Sequence, residues 1–208
     1  MSQFEQIVNS IREKLDGTNQ VREIALKECR EIIRLSSKTI RAVHREEIDD
    51  ARSLLAETRE KAHSVVHLLR DFPEVYHAGY IHDSQKEYVE AAAMVSIISD
   101  RTIPLPENLG MEPAAYLNGL AEAGSECRRY VLDRLKAGEF EIAEEILSVM
   151  DEIYFELITV DYPDAITGGL RRTTDAFRAV LERTRGDLTL TFHQQKLQKA
   201  LDAATNSL

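Results

Sequence analysis

Glu87 and Glu90 are the residues of this chain best placed to do chemistry. They lie in the stretch Gln85-Lys86-Glu87-Tyr88-Val89-Glu90-Ala91, which opens a strongly helical segment. At this spacing both carboxylates share one helix face, with Cβ atoms roughly 5–6 Å apart. Two carboxylates that close repel each other unless a positive charge sits between them, and either a divalent cation or a basic side chain can supply it. The plainer reading is a solvated pair on an exposed helix, because Glu is a common surface residue. The apolar run from Ala91 to Ile98 argues that the helix is largely buried beyond its first turns. That places the pair at the mouth of a recess rather than on open surface.

Two other acidic groups are close to apolar sequence. Asp151, followed by Glu152 and Glu156, is flanked by Leu147, Met150, Ile153, Tyr154 and Leu157. Glu122 and Glu126 stand at i, i+4 on one helix, with Arg128 and Arg129 directly after. One carboxylate from each of three helices converging in a bundle core is a standard way to hold a divalent metal. A rival pattern is the pair Glu60-x-x-His63 and Glu74-x-x-His77, which has the Glu-x-x-His spacing of di-iron bundles. These two copies are too close in sequence to sit on two long antiparallel helices, and Glu74 follows Pro73 in an expected loop. The chain has no Gly-rich phosphate loop, no His/Cys zinc spacing and no Gly-x-Ser-x-Gly elbow. Arg171, Arg172, Arg178, Arg183 and Arg185 run along the last segment, where Asp175, Glu182 and Asp187 are positioned to pair with them on a solvated face.

The elements that must position these residues are helical. Phe4, Ile7, Val8, Ile11 and Leu15 predict a first helix over 2–15, broken at Gly17 with Thr18 as the next N-cap. A long amphipathic segment follows through Val43, and another runs from Ile48 to about Leu69. A loop containing Pro73, His77 and Gly79 leads to the helix of Glu87 and Glu90. A Pro- and Gly-containing loop covers 102–112. Helices are then expected over 113–136, 140–160 and about 170–204, with Gly186 inside the last as a position that weakens the helix. No convincing strand pattern is present, so the fold class is all-α, a helical bundle.

Composition agrees. Of 208 residues, 43% are hydrophobic, with 9 Gly, 5 Pro and no Trp. The formal net charge of −10 argues against binding nucleic acid over the whole surface, but allows a basic cleft on an acidic body. Cys29 and Cys127 are far apart within helical patterns and read as small buried hydrophobes, not a disulfide or zinc site. There is no signal-peptide pattern and no membrane-spanning apolar run, so a reduced, cytoplasmic protein is expected.

Several motifs, taken in order, resemble one family. Gln85-Lys86-Glu87-Tyr88-Val89-Glu90-Ala91 resembles the Gln-Glu-[Tyr/Phe]-Val-Glu-Ala helix start of translin-associated factor X. Tyr116-Leu117-Asn118-Gly119-Leu120-Ala121-Glu122, continuing to Ser125-Glu126, resembles the Tyr-Leu-x-Gly helix that translin and factor X share. Arg30-Glu31-Ile32-Ile33-Arg34-Leu35-Ser36-Ser37-Lys38 is similar to the second-helix region of the family. Asp161-Tyr162-Pro163-Asp164-Ala165-Ile166 and Leu170-Arg171-Arg172 resemble its archaeal branch.

This resemblance spans nearly the whole chain. It implies a single translin-like domain over 1–208 with about seven helices, assembled as a hollow homo-oligomer, an octamer in the family. It further implies binding of single-stranded RNA, and of DNA, on the inner wall. In the factor X branch it implies endoribonuclease activity with Mg²⁺, or Mn²⁺ in its place. The family's metal carboxylates carry over to Glu87, Glu90 and Asp151, with Glu126 as a fourth member. Lys86, Arg128, Arg129 and His82 would then grip phosphates, and Tyr80 or Tyr88 would stack bases. A non-catalytic nucleic-acid-binding scaffold with structural carboxylates is the competing reading.

Overall fold

The computed structural model describes residues 2–205. Among them are nine helices and no strand: α1 (Gln3–His44), α2 (Ile48–Leu68), α3 (Pro73–Tyr76), α4 (Gly79–Asp100), α5 (Pro106–Leu109), α6 (Pro113–Ala137), α7 (Phe140–Leu157), α8 (Asp164–Thr167) and α9 (Leu170–Thr205). The all-α expectation holds. Three of the nine are single turns in stretches expected to be loops. Two of these, α3 and α5, begin on a proline, whose fixed φ suits the first helical position.

The first helix is longer than its sequence suggested. It starts on a capping box in which Ser2 Oγ accepts from the Glu5 amide at 3.2 Å and the Ser2 amide donates to Glu5 at 2.7 Å. It then runs through Gly17 without a break, so Thr18 caps nothing. A glycine in a helix interior costs only about 1 kcal/mol, and the helix formers on both sides outweigh it. The same holds at Gly186, where α9 is also continuous.

Helices α4 and α6 form the centre. α4 packs on α1, α2 and α6, and α6 packs in turn on α7 and α9. The expected apolar run is buried on nearly every side: Ala91, Ala93, Met94 and Ile97 are inaccessible to solvent. A helix surrounded this way needs no polar face beyond its ends. Cys29 and Cys127 are free and buried, as expected.

Two glycines set the distances between these helices. A Cβ on Gly119 would lie 2.7 Å from Val89 Cβ and 2.8 Å from the Lys86 carbonyl oxygen. One on Gly124 would lie 2.4 Å from the Phe177 ring. Only glycine allows α6 to approach α4 this closely on one side and admit Phe177 of α9 on the other. The first contact matters for the site: Gly119 is one turn before Glu122, and it faces the segment of α4 that carries Glu87 and Glu90.

The ends of the chain are not covered. α1 has no buried residue before Ala25, and Phe4, Ile7, Ile11 and Leu15 are exposed on it. Leu190, Leu197 and Leu201 are exposed on the last turns of α9. No helix among the described residues is long and apolar enough to cross a membrane.

Candidate functional site

Glu87 and Glu90 meet Glu122. One carboxylate oxygen from each lies within 4.8 Å of the others, and all three side chains are partly buried. The spacing on α4 supplies two members, and the Gly119 contact brings the third from α6. The Lys86 ammonium donates to Glu122 at 2.8 Å. The cluster thus has three carboxylates and one adjacent cation.

The electrostatics follow from that imbalance. Burial first, then the charges of Glu87, Glu122 and Glu126, push Glu90 up to about 8, and Lys86 only partly offsets them. Glu87 is also raised, by burial and by Glu122. Burial pulls the Lys86 ammonium down most strongly, but the hydrogen bond to Glu122 and the charges of Glu122, Glu87 and Asp83 together outweigh it, so its pKa is raised on balance. These are like charges held together by the fold and under-neutralised.

Glu126 stands one turn beyond Glu122, close enough for its charge to raise Glu90. Its Oε1 lies 2.6 Å from His44 Nε2, on a side chain only 2% exposed. That hydrogen bond, ahead of opposing burial, holds the Glu126 pKa below its usual value. An ionised carboxylate can only accept, so Nε2 carries the proton in this contact. His44 Nδ1 is buried without a partner. Glu126 thus borders the triad, with one oxygen committed to α1.

Asp151 is not part of the cluster. It projects from α7 and is paired with Arg185 of α9. The third carboxylate of the cluster is Glu122 of α6. The signal for it was the Tyr-Leu-x-Gly motif itself, because a residue three positions after the close-contact glycine returns to the same helix face. The Glu-x-x-His pairs form no site either: His63 Nε2 lies 2.8 Å from the Leu109 carbonyl oxygen, and exposed His77 packs edge-on against Tyr76.

The expected phosphate and base contacts divide. Lys86 is at the triad. Arg128 is committed to Asp187 at 2.7 Å and Thr184 at 3.1 Å, which ties α6 to α9. Arg129 is exposed, and its charge helps lower the Glu126 pKa. His82 is half-buried, with Nε2 unpartnered and close against Gly168. Tyr80 is half-buried with its hydroxyl unpartnered. Tyr88 is 1% exposed, with burial raising its pKa to about 12, so its ring is core and offers no stacking face. A cavity of about 790 Å³ between the end of α7 and the start of α9 contains none of the triad.

The donor set fits a hard divalent cation. Carboxylate oxygens from two rigid helices suit Mg²⁺, Mn²⁺ or Ca²⁺ rather than a soft metal. Fold and site therefore define an all-α protein with a recessed three-carboxylate cluster between its two central helices.

No protein-family model matches the chain. An uncharacterized protein of Methanocaldococcus jannaschii is 32% identical over 203 residues, 97% of this chain and 88% of that one. The solved complex of AfC3PO with duplex RNA has a TM-score of 0.83 and 34% identity, covering 90% of this chain and 97% of that one. A second AfC3PO structure has a TM-score of 0.82 at the same identity and the same coverage. Apo-NeC3PO has a TM-score of 0.80 at 21% identity over 88% and 96% of the two chains, a likeness of fold. The chain belongs to the translin family and is of its archaeal C3PO type.

Proposed function

We propose that this protein is a metal-dependent endoribonuclease acting on single-stranded RNA within a homo-oligomer. The observation that carries the reading is the triad of Glu87, Glu90 and Glu122, with ligand oxygens within 4.8 Å of one another and Lys86 as a neighbouring counter-charge. Those three residues would hold Mg²⁺, with Glu126 beside them. When bound, the ion supplies Lewis-acid activation of water and neutralises charge that develops on the phosphate.

The rest is done by the chain itself. Gly119 fixes the separation of the two carboxylate-bearing helices. The His44 hydrogen bond orients Glu126. Lys86 and the exposed Arg129 provide positive charge for RNA phosphates near the triad. Tyr80 and His82 lie on the first turn of α4, one to two turns before Glu87, where an approaching strand would pass.

RNA binding is supported by the similarity to AfC3PO, which has been solved with duplex RNA. Single-stranded and duplex RNA are therefore both test substrates. Assembly is supported by the uncovered apolar stripe of Phe4, Ile7, Ile11 and Leu15, a patch that monomers seldom leave exposed. An octamer is the expected closed form, and light scattering that shows a monomer at micromolar concentration would refute it.

The second reading, a non-catalytic RNA-binding scaffold, rests on the Lys86–Glu122 pair, which would make the carboxylates structural. The two separate in one experiment: purified protein is incubated with RNA in Mg²⁺, with and without a chelator. Cleavage that stops on chelation supports the nuclease. RNA binding without cleavage in Mg²⁺ or Mn²⁺ selects the scaffold.

A further inference from the structure

Lys86 occupies an unusual place. Its ammonium is bonded to Glu122, a member of the triad, and its charge lowers the pKa of both Glu87 and Glu90. It is not locked in the core, because its side chain remains 21% exposed. A lysine is a point charge on a flexible four-carbon stem, so it can exchange one anion for another within its reach. Arg128 cannot do this, since Asp187 and Thr184 fix its guanidinium.

We infer that Lys86 is a metal-released phosphate grip: it holds Glu122 while the triad lacks a cation, and it turns to an RNA phosphate when a divalent ion takes the triad. This rests on the reading of the triad as a divalent-cation site. The reason is charge balance. Three carboxylates within 4.8 Å need positive charge, and Lys86 partly supplies it in the cation-free protein. A divalent ion among the same oxygens repels the ammonium from Glu122. The freed ammonium stays within a side-chain length of the place where a phosphate must approach. RNA binding and cation binding are then coupled through one side chain, and the coupling is reciprocal.

The consequence is conditional. Lys86 contributes to RNA affinity only when the cation is present. The test measures RNA oligonucleotide affinity for the wild-type protein and Lys86→Met, each in Mg²⁺ and in chelator, with Mg²⁺ affinity measured separately by calorimetry. Gel analysis confirms that the oligonucleotide stays intact during each measurement. Any direct bridge from ion to RNA is present in both proteins and cancels in the comparison. In Mg²⁺, Lys86→Met is expected to lose about tenfold in RNA affinity, the size of one charge-assisted contact. Its salt slope is expected to fall by about 0.7. In chelator the loss is expected to stay below twofold. The variant is also expected to bind Mg²⁺ about tenfold more tightly, since no resident ammonium must be displaced. Lys86→Gln should reproduce the pattern and guards against a defect particular to methionine.

An equal loss in Mg²⁺ and chelator, with Mg²⁺ still binding, overturns the inference and leaves the metal centre standing. So does an absence of loss in Mg²⁺. Wild-type protein that binds no Mg²⁺ removes the metal-centre reading, and this inference with it.

Discussion

Two acidic positions in this molecule look alike in sequence and differ in the fold. Asp151 on α7 and Glu90 on α4 both sit among apolar residues on packed helices. Asp151 is matched by Arg185, one charge for one charge. Glu90 faces Glu87, Glu122 and Glu126, with Lys86 as partial compensation. A carboxylate with its own arginine is accounted for by structure alone. Carboxylates crowded against one another raise the energy of the cation-free fold, an arrangement that suits the cation-binding role proposed for this cluster.

The strongest way to break the comparison is to neutralise each side. On the proposed reading, Glu87→Gln and Glu90→Gln should each lower RNA cleavage by at least about 100-fold while leaving RNA binding within a few-fold, since the removed groups would hold the cation and lie away from remote phosphates. Asp151→Asn should keep cleavage within a few-fold. Initial rates in Mg²⁺ check all three. Near-normal cleavage by both Glu variants, or loss in Asp151→Asn, would reverse the assignment of the two positions.

Stability against pH sharpens the same contrast. Glu90 keeps its proton in the folded chain up to about 8, against an ordinary value of 4.5. Between those values the folded state binds more protons than the unfolded state, so cation-free stability should fall as pH rises through that window. The size is on the order of 2 kcal/mol after allowing for solvent at the site. Thermal unfolding in chelator should therefore show a lower Tm at pH 8 than at pH 5. Glu90→Gln should flatten that dependence, and Mg²⁺ should restore Tm at pH 8. A cation-free Tm that rises from pH 5 to 8 and is unaltered by Glu90→Gln would contradict the crowding.

Two glycines extend the comparison to the backbone. Gly119→Ala would press a Cβ to 2.7 Å from Val89 Cβ and 2.8 Å from the Lys86 carbonyl oxygen. It should cost about 1–3 kcal/mol and spread the triad, lowering Mg²⁺ affinity as well as Tm. Gly186→Ala meets nothing within 4 Å in a continuous helix and should stabilise by about 0.5–1 kcal/mol. Denaturant melts of both proteins decide the matter, and equal effects would mean that the α4–α6 contact is looser than described.

The smallest effect belongs to the surface pair. Arg185→Ala should cost only about 0.2–1 kcal/mol, because its side chain is 46% exposed and solvent screens the contact. A double-mutant cycle with Asp151→Asn measures it. A coupling well above that range would make the pair more than a surface contact.

Much of the fold was legible because helices announce themselves through local pattern. The boundaries near Ile48, Pro113 and Phe140 follow from apolar spacing and from the Pro and Gly that punctuate the chain. Gly17 misled for the same reason, since a local signal cannot report how strongly the flanking residues favour continuation. The short turns at Pro73 and Pro106 were too brief to carry any period.

The site divides along the same line. Glu87 and Glu90 were readable as a pair because they lie on one helix, where three positions fix their geometry. Their partner was not readable from spacing, since it comes from α6, and both Glu122 and Asp151 sit on helices flanked by apolar residues. Tertiary packing made that choice: Gly119 lets α6 close on α4, which sets Glu122 against the pair, while Arg185 draws Asp151 to α9. The commitments of Arg128 to Asp187 and of Tyr88 to the core were also decided only in three dimensions. Sequence by itself determined the all-helical class, the acidic pair and the family motifs, because these depend on neighbours along the chain. Which carboxylates share a recess, and which cation stands beside them, depends on how closely two helix backbones approach.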